Sequence, residues 1–174
     1  DGQVYARPYF NIDGQVFYIL DDVPRAASYN ICNFTIPGER PLSLAMPAPP
    51  LFAQKPAAPA VRNFDGVVST TVTVNRNLMD FYTNYPPCHW SIYAATALTA
   101  PVRGQLYPPL RAAVAGKGER EAAELLLHYL HRAFPYKTDE AQFGVERTLF
   151  AEEMYYYPYS DCEDRSILFA RLVK

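Results

Sequence analysis

Hydrophobic and polar residues follow two different periods along this chain, and the period changes near residue 105. Before that point, short runs of aromatic and β-branched residues predict strands, as at Val67 to Val74, where Val alternates with Ser and Thr. After it, apolar residues recur every three or four positions, and the clearest helix is predicted over residues 119–133. The pattern therefore predicts an α+β protein whose strands precede its helices.

The first 40 residues carry a β-hairpin signal. The aromatic runs at residues 4–10 and 15–20 flank Asn11 to Gly14, and an Asp-Gly pair suits a tight turn. A third strand is expected around residues 29–35, and Cys32 within it is expected to be a small apolar core residue.

The segment from residue 41 to residue 60 is rich in proline and alanine. A linker, a long crossing loop and a ligand for a proline-binding groove all fit that composition, and we favour the crossing loop. A further strand is predicted over His89 to Leu98, which holds Trp90 and Tyr93. We therefore expect residues 1–100 to form a β-rich, sandwich-like domain.

Shorter helices are predicted on either side of the clear one. Residues 75–84 fit a turn with a short helix or loop, and residues 107–115 fit a short helix with Pro108 and Pro109 in its first turn. Residues 138–153 fit short turns or helix. A last helix is expected near the end of the chain, where Ile167, Leu168, Leu172 and Val173 recur at helical spacing.

A cysteine lies in the first turn of that last helix. Ser160 and Glu163 fit a capping box, which would make Ser160 the N-cap and Cys162 the second helical residue; with Asp161 as the cap, Cys162 would be the first. Free N–H groups at a helix start lower the pKa of a thiol and can hold an oxyanion. The carboxylates of Asp161, Glu163 and Asp164 oppose ionisation, so Cys162 is expected to need a partner base. The alternative is a half-buried structural cysteine.

The residues around Cys162 resemble the nucleophile segment of the transglutaminase-like superfamily, in its bacterial cysteine-peptidase type. The segment from Tyr159 to Phe169 is similar to that family's Asp-Cys pair, acidic pair and apolar helix. Leu125 to Leu130, Ala133 to Tyr136, Asp139 and Phe143-Gly144 are similar to the helix and loop that precede it.

The resemblance implies a papain-like α+β fold and a Cys, His and Asp triad for acyl transfer or hydrolysis of peptide amides. Of that triad only the cysteine maps onto this sequence, at Cys162. The His and Asp of the family normally lie further along the chain, so residues 101–174 are expected to be the helical first part of such a core, incomplete at its C-terminal side. We expect no turnover from these 174 residues alone.

Four further residues are candidates for the walls of a substrate cleft. Tyr156, Tyr157 and Tyr159 precede Cys162, and tyrosine combines a large contact area with a polar tip. Gln142 is a candidate amide donor. The alternative for the tyrosines is packing of the loop against the helix over residues 119–134.

The histidines do not supply the missing base in the family's position, because His89, His128 and His131 all precede Cys162. His128 and His131 share a helix face but lack a third metal ligand. Cys88 and His89 would point to opposite faces of a strand, and a zinc site of Cys88, His89 and His128 lacks the spacing of known clusters. We therefore expect no cofactor and no metal.

Composition limits the partners. A formal net charge of −2 gives no general attraction to nucleic acid, and no apolar run approaches the ~20 residues of a membrane span. The expected partner is a peptide or protein substrate, in an extracytoplasmic compartment such as the periplasm or cell envelope. The alternative function is a non-catalytic binding or scaffolding protein of the cell envelope that recognises a glycan or a protein.

Overall fold

The structure is a computed structural model that describes residues 9–12, 15–19, 28–30 and 43–174, the first three ranges as backbone only. The fold is mixed α and β, as the change of period predicts. The chain divides into two compact units, one of residues 1–44 with 87–89 and the other of residues 45–86 with 90–174.

The described part of the first unit is an antiparallel sheet with strand order β1-β2-β3. The strands are β1 (Tyr9–Ile12), β2 (Gln15–Ile19) and β3 (Ser28–Asn30). Phe10 lies opposite Phe17, and Tyr18 lies opposite Tyr29. The predicted pairing of two aromatic strands is confirmed, whereas the Asp-Gly turn and Cys32 lie outside the described residues.

A second antiparallel pair, β4 (Ala60–Phe64) and β5 (Val68–Val72), opens the larger unit. The connecting loop has Asp65 at φ 38° and Gly66 at φ 76°, the left-handed conformation that a tight connection between twisted strands requires. In β5, Val68, Thr70 and Val72 are buried, which confirms the predicted alternation. The sequence did not predict strand β4, because its five residues directly follow a proline-rich segment that has no strand-like alternation.

Six helices follow in this unit. They are α1 (Arg76–Thr83), α2 (Trp90–Ala95), α3 (Ala100–Val114), α4 (Glu119–Ala133), α5 (Asp139–Phe143) and α6 (Cys162–Leu172), and a 3-10 turn spans Glu153–Tyr155. The predicted bounds of α4 are confirmed. Gly144 ends α5 in the left-handed conformation, at φ 77°.

The predicted strand over His89 to Leu98 is wrong, because residues 90–95 form helix α2. The β preference of Trp90, Ile92 and Tyr93 misled the prediction. Packing decides the segment instead: α2 lies against α6 and buries Tyr93, and strand preference is weak against such tertiary contacts.

Helix α3 begins seven residues before its predicted start, so Pro108 and Pro109 lie inside it rather than in its first turn. Pro101 occupies the first turn instead. Proline inside a helix frees the carbonyl four residues earlier, and for Pro108 that carbonyl belongs to Gly104. Gly104 and Pro108 are both exposed, so water can hydrogen-bond the carbonyl of Gly104.

The core of the larger unit lies between the β4–β5 pair and two helices, with α3 against β5 and α4 against β4. A buried hydrogen-bond chain crosses this layer, from the hydroxyl of Thr70 to that of Tyr129 at 2.7 Å and on to that of Tyr155 at 3.1 Å. In the described part of the chain, no helix has both the length and the apolar character to span a bilayer.

Candidate functional site

Helix α6 begins with Asp161 as its N-cap, so of the two alternatives that the sequence leaves open, Asp161 is confirmed and Ser160 is wrong. The capping box joins Asp161 to Asp164 rather than Ser160 to Glu163. Ser160 is instead held in a short parallel bridge to residues 135–137: its N–H donates to the Pro135 carbonyl at 3.2 Å, and its carbonyl accepts from Lys137 at 3.3 Å. Since Asp161 is the cap, Cys162 is the first helical residue.

The buried Asp164 side chain stabilises the start of helix α6. It is fully buried, and its carboxyl accepts from the N–H of Leu149 at 2.8 Å and from the N–H of Asp161 at 3.4 Å. Burial raises the pKa of Asp164 to about 8. This side chain therefore ties the loop before the 3-10 turn to the helix that presents Cys162.

The Cys162 thiol is exposed and takes no part in a disulfide. Its Sγ donates to the Glu163 Oε2 at 3.2 Å. That hydrogen bond and the negative charge of Glu163 raise the pKa of the Cys162 thiol. The direction agrees with the effect expected from the neighbouring carboxylates, so the helix start does not by itself make this thiol acidic.

Four carboxylates gather beside the thiol. One oxygen each from Asp139, Glu146, Asp161 and Glu163 lies within 4.8 Å of the others. The pKa of Glu146 is raised to about 7, chiefly by its hydrogen bond to Glu163, and burial raises the pKa of Asp161 to about 6. Burial opposes ionisation of Glu163, but the hydrogen bonds from Glu146 and Cys162 outweigh it and lower its pKa.

The chemistry of this cluster follows from its crowding. Like charges this close cannot all ionise without a counter-charge, so the cluster keeps protons near neutral pH. Carboxylate oxygens are also the ligands that hard divalent cations such as Ca²⁺ prefer. In the described part of the chain, these four residues are the ones with the spacing to hold such an ion.

Two cavities meet at the cysteine. One, of about 370 Å³, lies towards α4 and is bordered by Leu127, His131, Tyr136 and Arg165. The other, of about 270 Å³, lies towards α2 and is bordered by Trp90 and Ala94. Cys162 and Ser166 border both, because residues four apart lie on one face of a helix. Cys162 thus lies between two partly apolar depressions.

Arg165 holds the wall on the α4 side. Its guanidinium donates to the Phe134 carbonyl at 2.6 Å and lies 5.2 Å from the centre of the Tyr136 ring. The bridge at Ser160 brings the backbone of Tyr136 to the same place. This wall therefore depends on contacts between the end of α4 and the start of α6.

The predicted cleft tyrosines lie apart from both cavities. The Tyr157 hydroxyl accepts a hydrogen bond from Arg147 at 2.8 Å. Arg147 also forms an ion pair with the buried Glu153. Tyr156 packs edge-on against Tyr157, with ring centres 5.1 Å apart, and Tyr159 lies under the Lys137 ammonium at 5.2 Å. A role for Tyr156, Tyr157 and Tyr159 as cleft walls stays a prediction.

Gln142 and the histidines differ in their placement. Gln142 donates to the Tyr159 carbonyl at 3.5 Å, and its buried Oε1 has no hydrogen-bond partner among the described residues. His128 stacks on Phe64 with ring centres 6.4 Å apart. His131 borders the α4-side cavity together with Cys162.

His131, Tyr136 and Trp90 are residues beside Cys162 that the sequence analysis did not assign to the site. For His131 and Tyr136 the chain contains no local signal, because the contact arises only when the end of α4 meets α6. For Trp90 the signal was lost when residues 89–98 were assigned to a strand.

Comparison of this chain with family models, with curated proteins and with solved structures gives no match.

Proposed function

We propose that this chain presents the cysteine nucleophile of a transglutaminase-like protein that transfers or hydrolyses the acyl group of peptide or protein amides. The observation that carries the proposal is the exposed Sγ of Cys162 at the first position of an eleven-residue helix, between two cavities. The papain-like core and the sandwich-like N-terminal region implied by the sequence belong to this proposal.

The proposed reaction has four steps. The thiol gives its proton to a base, and the sulfur attacks the amide carbonyl carbon to form a tetrahedral oxyanion. The backbone N–H of Cys162 and that of a neighbouring residue would hold that oxyanion. The amine then leaves with a proton from the base, and water or another amine releases the acyl group from the thioester.

Glu163 is poorly suited to be that base. It accepts the thiol hydrogen bond, but its own pKa is lowered while the pKa of the thiol is raised, so proton transfer between them is uphill. We propose that a base with a pKa near neutrality joins Cys162 in the active protein. His131 borders the same cavity as Cys162. Replacing His131 therefore tests whether this histidine is the base.

An activated acyl donor tests the nucleophile without requiring the base. We expect a p-nitrophenyl ester of an acylated amino acid to release one equivalent of p-nitrophenol and to leave a thioester on Cys162, found by mass spectrometry. The matched control is a free peptide of residues 159–166, whose thiol lacks the helix start. Cys162→Ser should abolish the thioester, and His131→Asn should leave its rate unchanged. Acylation no faster than that of the free peptide would contradict the proposal.

The second candidate function is a non-catalytic binding or scaffolding protein, and the raised pKa of the Cys162 thiol favours it. In this case the aromatic surface near Cys162 recognises a glycan or a protein partner. The rate of iodoacetamide labelling of Cys162 against pH, measured in the full protein, separates the two. A nucleophile paired with a base reacts well below pH 8, whereas a thiol that only decorates a binding surface reacts in the alkaline range.

A further inference from the structure

A basic groove lies at the other end of α6, where α3, α4 and α6 meet. Its volume is about 440 Å³, and we name its cationic members Arg103, Arg111, Arg171 and Lys174 the basic rim. The floor and walls are apolar, with Leu110 and Leu126 buried and Val114 and Leu172 half-buried. Among the described residues, no acidic side chain borders the groove.

The charges of the basic rim are only partly used by the protein itself. Arg111 lies over the Tyr107 ring at 5.5 Å, and Arg171 donates to the Ala95 carbonyl at 3.5 Å, the long limit of a hydrogen bond. The Nε of Arg171 is buried and has no partner among the described residues. Arg103 interacts electrostatically with the carboxylate of Glu152.

Helix dipoles account for part of this arrangement. Arg111 and Arg171 lie in the last turns of α3 and α6, where a cation is favourable. A fully solvated side chain is enough for that interaction, however, and it gives no reason for an open apolar floor between the cations. A depression with a cationic rim and an apolar floor is complementary to a ligand with both characters.

We propose that the basic rim and its floor bind an acidic peptide segment that carries at least one large apolar side chain. Guanidinium groups pair with carboxylates through two parallel hydrogen bonds, which suits Asp and Glu side chains in the peptide. The apolar side chain of the peptide lies on Leu110 and Leu126. A concave groove favours such a segment over a membrane surface, because a bilayer cannot enter a depression between three helices.

The binding test uses the whole chain and a fluorescein-labelled peptide, Glu-Glu-Leu-Phe-Glu-Glu, followed by fluorescence anisotropy. We expect saturable binding that weakens about tenfold or more when the four Glu are replaced by Gln, since charge-assisted hydrogen bonds are lost. Replacing Leu and Phe of the peptide by Ser should weaken binding by a similar factor, because the floor is then unoccupied. Binding should also weaken as NaCl rises.

Charge reversal in the protein locates the site. Arg111→Glu and Lys174→Glu should each weaken the peptide about tenfold, whereas Arg132→Glu, an exposed arginine on α4, should not. Lys174→Glu supports the test if Arg111→Glu loses stability with its contact to Tyr107. Circular dichroism checks the fold of each variant.

Three results would overturn the proposal. They are equal affinity for the Gln peptide, loss of binding in Arg132→Glu as great as in Arg111→Glu, and binding of phosphatidylserine vesicles or of a fatty acid with no measurable binding of the peptide. None of these depends on Cys162, so the outcome is separate from that of the acylation test.

Discussion

The thiol of Cys162 donates to the carboxylate of the next residue, Glu163, with 3.2 Å between Sγ and Oε2. This contact stabilises the protonated thiol and raises its pKa, against the tendency of a helix start to lower it. The local chemistry of the candidate nucleophile is therefore set by its sequence neighbour more than by the helix.

Replacing Glu163 by Gln should make the thiol more reactive. The change removes the negative charge that opposes the thiolate, so the alkylation rate of Cys162 with iodoacetamide at pH 7.5 should rise several-fold. Peptide mapping by mass spectrometry separates Cys162 from the other cysteines. Glu140→Gln, an exposed acidic change on α5, is the matched control and should leave the rate unchanged. An unaltered rate in Glu163→Gln would show that the contact does not control the thiol.

Stability should fall as pH rises from about 5 to about 8. The pKa values of Asp164, Glu153 and Asp161 are raised to about 8, 7 and 6, so the folded protein holds these protons more tightly than the unfolded chain. Their contribution is complete below the unfolded carboxyl pKa of roughly 4 and is lost as pH rises through each folded value. Urea unfolding at pH 5, 6, 7 and 8 measures the slope.

The variant Asp164→Asn isolates the largest of these effects. It keeps a buried acceptor for the N–H of Leu149 but cannot ionise, so its free energy of unfolding should vary less with pH than that of the unchanged protein between pH 6 and pH 9. Asp80→Asn, at an exposed site on α1, serves as the control. A free energy of unfolding that rises over this range in the unchanged protein would contradict the assignment.

Removing one charge from the carboxylate cluster while keeping the cap should stabilise the protein at alkaline pH. Asn caps a helix as well as Asp does, so Asp161→Asn keeps the start of α6 and removes repulsion from Asp139 and Glu163. We expect a gain of about 0.5–1 kcal/mol at pH 8 and a smaller effect at pH 5, where Asp161 is already protonated. Asp161→Ala, which loses the cap, should cost about 1 kcal/mol instead. Thermal denaturation at both pH values distinguishes these cases.

The buried hydroxyl chain should make Tyr129→Phe costly. The Tyr129 hydroxyl bonds both Thr70 and Tyr155, so its loss leaves two buried groups without this partner, and we expect a loss of about 2–3 kcal/mol in the free energy of unfolding. Tyr159→Phe, at a residue 38% exposed, should change stability by less than about 0.5 kcal/mol. A cost for Tyr129→Phe as small as that of Tyr159→Phe would mean that the chain contributes little.

The sequence alone determined the features that depend on neighbours in the chain. Helix α4, the alternation in β5 and the aromatic strand pair follow from periodicity, because the spacing of apolar residues indicates which side of an element is buried. The position of Cys162 in the first turn of the last helix follows from the capping residues beside it. The opposition between Cys162 and its flanking carboxylates is likewise a contact between adjacent residues.

Tertiary structure decided whatever depends on residues far apart in the chain. Residues 90–95 form a helix that packs against α6, and Ser160 lies in a bridge to Tyr136 while Asp161 is the N-cap. His131 reaches the cavity at Cys162, and Glu146 reaches the carboxylates beside it, only because separate elements meet there. Local preferences amount to a few tenths of a kcal/mol per residue, so burial against a distant partner overrides them, and no local pattern in the sequence records that partner.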